Sequence, residues 1–268
     1  MEYLVAVDLE GIGGVAGEPF QTLTKAKDYS TACENAVREI NSAVKALFDN
    51  GATRVAVWDN HGGGGNLDFS KIDPRIEQIN WRAYPYRIGF SADYNFAGII
   101  YLGYHSREGT FGGVLAHTYN SQAIQYVKVN GAEVGELEID TYLAAEYGIP
   151  PLLVASDDVC VAQFKKTSPD TVGVITKYGK SRNEAEFKDE DTVVQEIYDG
   201  VVKSLKSDIK PVGINCPINI EVRYTRAEGA ASIYERVSKD DCITAKYGDD
   251  THTLFFEITK VNRLFSVI

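Results

Sequence analysis

Asp8 and Glu10 stand two residues apart at the end of an apolar run, and similar ligand types recur at Asp59 and His61, at His105 and at Glu136. Carboxylates and imidazoles drawn from four separate segments make the donor set of a metal site, and such mixed oxygen and nitrogen ligands suit zinc, manganese or cobalt. The chain holds four histidines, and three of them, His61, His105 and His117, belong to this group of segments. If the strand before Asp8 continues through Glu10, both carboxylates share one face at its carboxyl end. There they repel each other unless a cation or a basic partner sits between them.

Taken singly, each of these residues has an ordinary explanation. One carboxylate of the Asp8/Glu10 pair can cap a turn, a lone histidine can lie in a core or on a surface, and Glu136 at the start of a helix favours the positive helix terminus. Their shared position, just after a strand or opening a helix, is what singles them out. Asp8, Glu10, His61, His105 and Glu136 are too many for one catalytic zinc, which keeps three protein ligands and a water. Two metals sharing one bridging carboxylate use all five.

The elements that must position them follow from periodicity. Tyr3–Val7 and Arg54–Trp58 are apolar runs that read as buried strands. Between them Ala32, Ala36, Val37, Ile40, Val44, Leu47 and Phe48 recur at helical spacing, with Asn50-Gly51 as the stop. The result is a β-α-β unit and hence a parallel sheet. Residues 98–104 give a third strand, and Asn130-Gly131 within 124–135 marks a hairpin with a type I′ turn. A helix over 136–147, a strand over 152–155 followed by a Ser156-Asp157-Asp158 cap, a strand over 172–176 and a helix over 191–205 come next. Strands at 218–224 and 254–258 flank a helix near 230–237. The expected fold is α/β, a mostly parallel sheet flanked by helices, with a catalytic core over 1–206 and a smaller α+β portion over 207–268.

Composition narrows the function. The net charge of -11 and the lack of a basic stripe argue against nucleic acid. No stretch is long and apolar enough to span a membrane, and the first residues lack a basic export signal, so a soluble protein is expected. Cys33, Cys160, Cys216 and Cys242 are scattered with no Cys-x-x-Cys pair, which fits a reducing cytoplasm and not a thiolate zinc site.

In order along the chain stand VDLEG (7–11), DNH (59–61) followed by Asn66-Leu67, LGYH (102–105), Gly113-Val114 followed by His117, and NGAEVGELEIDTY (130–142). This series resembles the zinc-dependent D-aminopeptidase family, the DppA-like metallopeptidases, from the first strand to about residue 160 and more weakly at INIEVRY (218–224). Five short motifs in order with matching spacing are specific where one is not. The resemblance implies an aminopeptidase acting on short peptides with D-residues, two zinc ions per chain, and assembly into a homo-oligomeric ring such as a decamer. Residue by residue, it implies that Asp8 bridges the metals, Glu10 and His61 complete one, and His105 and Glu136 the other. His117 would be the catalytic side chain, as nucleophile or general base. Two departures, a segment between His105 and His117 one residue longer than the family's pattern and a Gly-rich loop after His61, bear on substrate preference more than on metal binding.

Two other readings compete. Gly11-Ile12-Gly13-Gly14-Val15-Ala16 fits a dinucleotide-binding G-x-G-x-x-A, as in an oxidoreductase. Against it, Asp8 and Glu10 would repel a pyrophosphate, and Glu18-Pro19-Phe20 interrupts the helix that should cradle it. A noncatalytic metal-binding homologue is the other. His252 matches no ligand motif.

Overall fold

In the computed structural model, which describes residues 1–17, 22–84 and 86–268, the first apolar run forms strand β1 (Glu2–Val7) and the amphipathic segment forms helix α1 (Tyr29–Asp49). The buried face of α1 carries Ala32, Ala36, Ile40, Ala43, Val44 and Leu47. Asn50 ends it by donating from its side chain to the Ala46 carbonyl, and Gly51 follows with a φ of 87° that other residues rarely adopt. The chain returns as β2 (Arg54–Asp59), passes through the short β3 (Glu77–Gln78) and re-enters as β4 (Phe96–Leu102).

A hairpin of β5 (Ile124–Val129) and β6 (Ala132–Val134) turns at Asn130 and Gly131, whose φ values of 49° and 85° are the paired positive angles of a type I′ turn. Then come α2 (Glu136–Ala145), β7 (Pro151–Asp157) and α3 (Asp158–Thr167), the last capped by Asp157 through the Val159 and Cys160 amides. The remaining elements are β8 (Val172–Ser181), β9 (Glu184–Phe187), α4 (Glu190–Ser204), β10 (Ile218–Tyr224), α5 (Ala227–Val237), β11 (Ile243–Tyr247) and β12 (Thr253–Ile258).

Among the described residues, seven strands form one sheet in the order β3-β2-β1-β4-β7-β8-β9, parallel throughout except for β9. The fold is therefore α/β with a mostly parallel sheet. Alternate residues of β1 bury on opposite sides: Tyr3, Val5 and Val7 face a core built with α1 and α4, while Leu4 and Ala6 face one built with α2, α3 and the second sheet. Each fully buried Leu or Val contributes about 1.5–3 kcal/mol. A one-residue slip would exchange the two faces, so the register is firmly set.

That register positions the site. Val7 of β1 lies opposite Asp59 of β2 on one side and Leu102 of β4 on the other. The three strands thus end level, and residues 8–10, 60–61 and 103–105 leave the sheet together. They do so where the winding reverses, with β2 on one side of β1 and β4 on the other, which is where open α/β sheets form a crevice.

The second sheet runs β11-β12-β10-β5-β6, with Ile220 of β10 opposite Val129 of β5. Residues 207–268 thus share a sheet with residues 124–134. No helix of the described residues is long and apolar enough to cross a membrane. Glu18-Pro19-Phe20 lies outside the described residues. Within those described, no helix begins between Gly11 and Asp28, so the Gly11–Ala16 stretch does not lead directly into a helix as the dinucleotide-binding motif does.

Candidate metal centre

The strand before Asp8 does not run on through Glu10; it ends at Val7, and a loop held against β4 brings the two carboxylates into the cleft. Asp8 N–H donates to Leu102 O at 2.9 Å and Gly11 N–H to Gly103 O at 2.7 Å. The two backbones cross so closely that a Cβ on Gly11 would overlap the Tyr104 carbonyl oxygen, and one on Gly103 the Asp8 carbonyl oxygen. This crossing sets Asp8 and Glu10 beside His105. Both acids are buried, and Glu10 Oε1 accepts from Thr22 Oγ1 at 3.2 Å while Oε2 has no hydrogen-bond partner among the described residues.

His61 projects from the loop after β2. Asp59 is not a ligand here; its carboxylate accepts the Gly65, Asn66 and Leu67 amides and the Asn66 side-chain amide. The glycines supply turn geometry, with positive φ at Gly62, Gly64 and Gly65, rather than freedom for His61. Asn66 in turn holds the ring, its Oδ1 lying 3.2 Å from His61 Nδ1, and His61 Nε2 lies 3.4 Å from Glu10 Oε1.

The other two imidazoles are fixed by main chain. His105 Nδ1 lies 2.9 Å from Ser106 O and His117 Nδ1 2.8 Å from Leu115 O, and the two rings stack with centroids 4.0 Å apart. Leu115 and Tyr119 adopt φ of 52° and 55°, an uncommon conformation outside glycine. One presents its carbonyl to His117, and the other donates its N–H to Glu136 Oε1 at 2.7 Å. All three rings therefore turn Nδ1 to an oxygen and Nε2 inward, the orientation that metal ligands need.

His105 Nε2 lies 3.3 Å from Glu136 Oε1 and 3.6 Å from Asp8 Oδ2, and His117 Nε2 lies 3.8 Å from Glu136 Oε1. Ligand atoms about 2 Å from a zinc ion stand roughly 3–4 Å from one another, so these separations fit. Two overlapping groups, His105/His117/Glu136 and Asp8/Glu10/His105, each present donor atoms within 4.8 Å of one another. His117 is thus as near to Glu136 as a ligand would be.

The electrostatics ask for added positive charge. Burial, and next the neighbouring Glu10, hold the Asp8 carboxyl well above the usual range. Burial also opposes the charged forms of His61 and His105, but the carboxylates outweigh it: Glu10 beside His61 and Glu136 beside His105 push both rings up to about 10. Burial alone would raise Glu136, yet His105 pulls it down to about 2. Burial and the adjacent His105 lower His117. Protons on Nε2 of His61 and His105 stand where a cation would, and Glu10 Oε2 has no proton donor among the described residues. A divalent metal fits this donor set.

A sequence model of the D-aminopeptidase family matches residues 1–261. The chain belongs to the D-aminopeptidase family. A D-aminopeptidase of Bacillus subtilis (strain 168) is 30% identical over 183 residues, 68% of this chain and 66% of that protein, so the match spans slightly less than two thirds of the relative's length. The solved structure of the Zn-dependent D-aminopeptidase DppA from Bacillus subtilis, a self-compartmentalizing protease, superposes with a TM-score of 0.87 at 23% identity, covering 100% of this chain and 95% of that one. At that identity the likeness establishes the family's fold.

The cleft also rests on residues to which the motifs gave no role. Arg87 is buried, donates from Nε to Asp140 Oδ1 at 2.6 Å and places Nη2 3.6 Å from Glu136 Oε2. Tyr104 donates to Asp140 and accepts from Asn60, both at 2.8 Å. Glu136 and Asp140 are one helical turn apart on α2, so a single guanidinium ties that face of the helix to the cleft. Its plane lies among the Trp58, Tyr119 and Phe265 rings at 5.0–5.4 Å. A lone arginine in a loop of unremarkable sequence gives no signal of this. Replacing Arg87 with Met strands two buried carboxylates. It is expected to cost about 3–5 kcal/mol of stability in a denaturant titration and to weaken metal binding by about 10–100-fold.

Asp8, Glu10, His61, His117 and Glu136 line a cleft of about 450 Å³, within the range of small-ligand sites, while His105 is buried and stacked on His117. Trp81, Leu115 and Phe265 give it apolar walls, and Asn120, Ser121 and Gln122 a polar rim. His252 sits apart, in the turn before β12, with its N–H bonded to Asp250.

Proposed function

We propose that the protein is a zinc-dependent aminopeptidase that removes the N-terminal residue from short peptides, D-residues among them. The observation that carries this reading is the convergence of three carboxylates and three imidazole Nε2 atoms in one cleft. Membership of the D-aminopeptidase family supports the substrate class. On this reading Asp8, Glu10, His61, His105 and Glu136 would hold two ions, with Asp8 shared between them, Glu10 and His61 serving one, and His105 and Glu136 the other. Zinc held there supplies Lewis acidity toward the scissile carbonyl and acidifies water.

The chain's own residues do the rest. His117, oriented by the Leu115 carbonyl, turns a free Nε2 to the reacting centre as nucleophile or general base. Arg87 and the Tyr119 N–H hold the Glu136 carboxylate in place. The apolar walls receive side chains and the Asn120–Gln122 rim receives peptide amides. The free cysteines Cys33, Cys160, Cys216 and Cys242 suit a reducing cytoplasm. A ring of identical subunits, such as a decamer, is proposed by analogy with the self-compartmentalizing relative.

The test is elemental metal content on untagged protein purified without chelator, followed by hydrolysis of matched D- and L-aminoacyl dipeptides. About two equivalents of zinc are expected, with manganese or cobalt as functional substitutes, and faster cleavage of the D-series. Stripping the metal and restoring zinc at about a thousand times its Kd is expected to return about 4 kcal/mol of stability, read as a rise in unfolding midpoint. Protein that neither retains nor regains metal would sink the proposal.

A further inference from the structure

Lys177 is fully buried on β8, in a position no step of the proposed reaction uses. Its ammonium donates to three main-chain carbonyls of one loop: Glu10 O at 2.5 Å, Ile12 O at 2.7 Å and Val15 O at 2.7 Å. An ammonium has three protons, so all are committed. The adjacent Thr176 donates to Gly11 O at 2.6 Å, and Asn35 to Gly13 O at 2.9 Å. Neighbouring strand residues normally point to opposite faces, but the pairing of β7 with β8 shifts here: Ser156 pairs with Ile175 and Asp157 with Lys177, leaving Thr176 as the extra residue. This irregularity aims two successive side chains at one loop.

A charge taken fully out of water costs several kcal/mol unless it is paired or well hydrogen-bonded. Lys177 makes no ion pair among the described residues. The carboxylates of Asp157, Glu39 and Glu10 favour its charge from a distance, while its direct contacts are three carbonyls of a single loop, the arrangement that binds a monovalent cation when no lysine is present. The first of those carbonyls belongs to Glu10, whose side chain reaches the other way into the cleft toward His61.

The geometry points to Lys177 as a positioning residue of the metal centre, a tethered ammonium that holds the 10–15 loop so that the Glu10 carboxylate meets His61. The inference rests on the reading that Glu10 and His61 share one ion. It differs from a general structural role in a specific way: a free ammonium of the right size should replace the missing group.

Full-length Lys177→Ala and Lys177→Met are the variants, with zinc per chain and thermal unfolding as readouts beside hydrolysis. Both variants are expected to fold and to weaken the Glu10/His61 ion by at least about 10-fold, taking zinc from about two equivalents to about one at limiting metal. Ethylammonium chloride is expected to restore the second equivalent in Lys177→Ala, where it leaves room, and not in Lys177→Met, where the thioether fills the space. Retention of both ions by both variants would overturn the assignment, as would loss that ethylammonium fails to repair. Failure of both to fold, with or without the amine, would make Lys177 a general structural post and also overturn it. The wild type is read first, and if it binds no zinc the metal reading itself has failed, a result distinct from any of these.

Discussion

Alanine in place of Asp8 is expected to remove both metal ions and to lower hydrolysis by at least about 100-fold, the upper end of what losing a group that merely holds a ligand in place costs. The size follows from position. Asp8 Oδ2 lies 3.6 Å from His105 Nε2, and the residue stands beside Glu10, so it borders both halves of the donor set. Loss of one such ligand leaves each ion one short. The same geometry predicts the opposite sign for the metal-free protein. There Asp8 is a buried carboxyl beside Glu10, held above its normal range by burial and that like charge. Removing it relieves the repulsion, so metal-free Asp8→Ala should unfold at or above the midpoint of metal-free wild type. Zinc content, turnover and melting of the stripped proteins together distinguish a lost ligand from a damaged fold. An Asp8→Ala protein that keeps two ions and full activity would refute the bridging assignment.

His117→Ala is expected to keep about two equivalents of zinc and to lose about 10²–10⁴-fold in kcat, the usual contribution of a positioned acid or base. His117 lies on the cleft wall, its Nε2 3.8 Å from Glu136, while His105, on which it stacks, makes the shorter 3.3 Å approach to the same oxygen. Removing it exposes that ring face but leaves Asp8, Glu10, His61, His105 and Glu136 in place. Zinc titration and single-turnover kinetics on the same sample decide the matter. If zinc falls along with kcat, His117 is a ligand and the division of roles must be redrawn around it.

The parts of this molecule that were legible in its sequence are those set by local periodicity. The apolar stripe of α1, the runs of β1 and β2 and the Asn130-Gly131 turn each encode their own conformation, and the parallel sheet follows from their order. Asp8, Glu10, His61 and His105 could be grouped from sequence because strand ends in such a sheet are level, whereas Glu136 opens a helix after a hairpin and His117 was singled out by the family resemblance. What stayed hidden depends on contacts across the chain. Asp8 and Glu10 were expected on one strand face, whereas a backbone crossing at Gly11 and Gly103 delivers them. The strand expected to stop at Thr176 runs to Ser181 because its second half, from Lys177 on, pairs with β9. Arg87 acquires its role only through α2, half a hundred residues away in sequence, as a sequence separation of 53 to Asp140 makes plain.

The anchoring of the imidazoles also bears on how such a centre can change over generations. His105 and His117 take their orientation from the carbonyls of Ser106 and Leu115, and every amino acid carries that acceptor, so no codon change at 106 or 115 deletes it. His61 alone is steered by a side chain, Asn66. Inherited variation therefore reaches one ring through a single codon and the other two only by rebuilding the main chain. A lineage drifting toward another metal or another substrate would record its first steps between residues 61 and 66, while the wall from 103 to 117 stayed as it was.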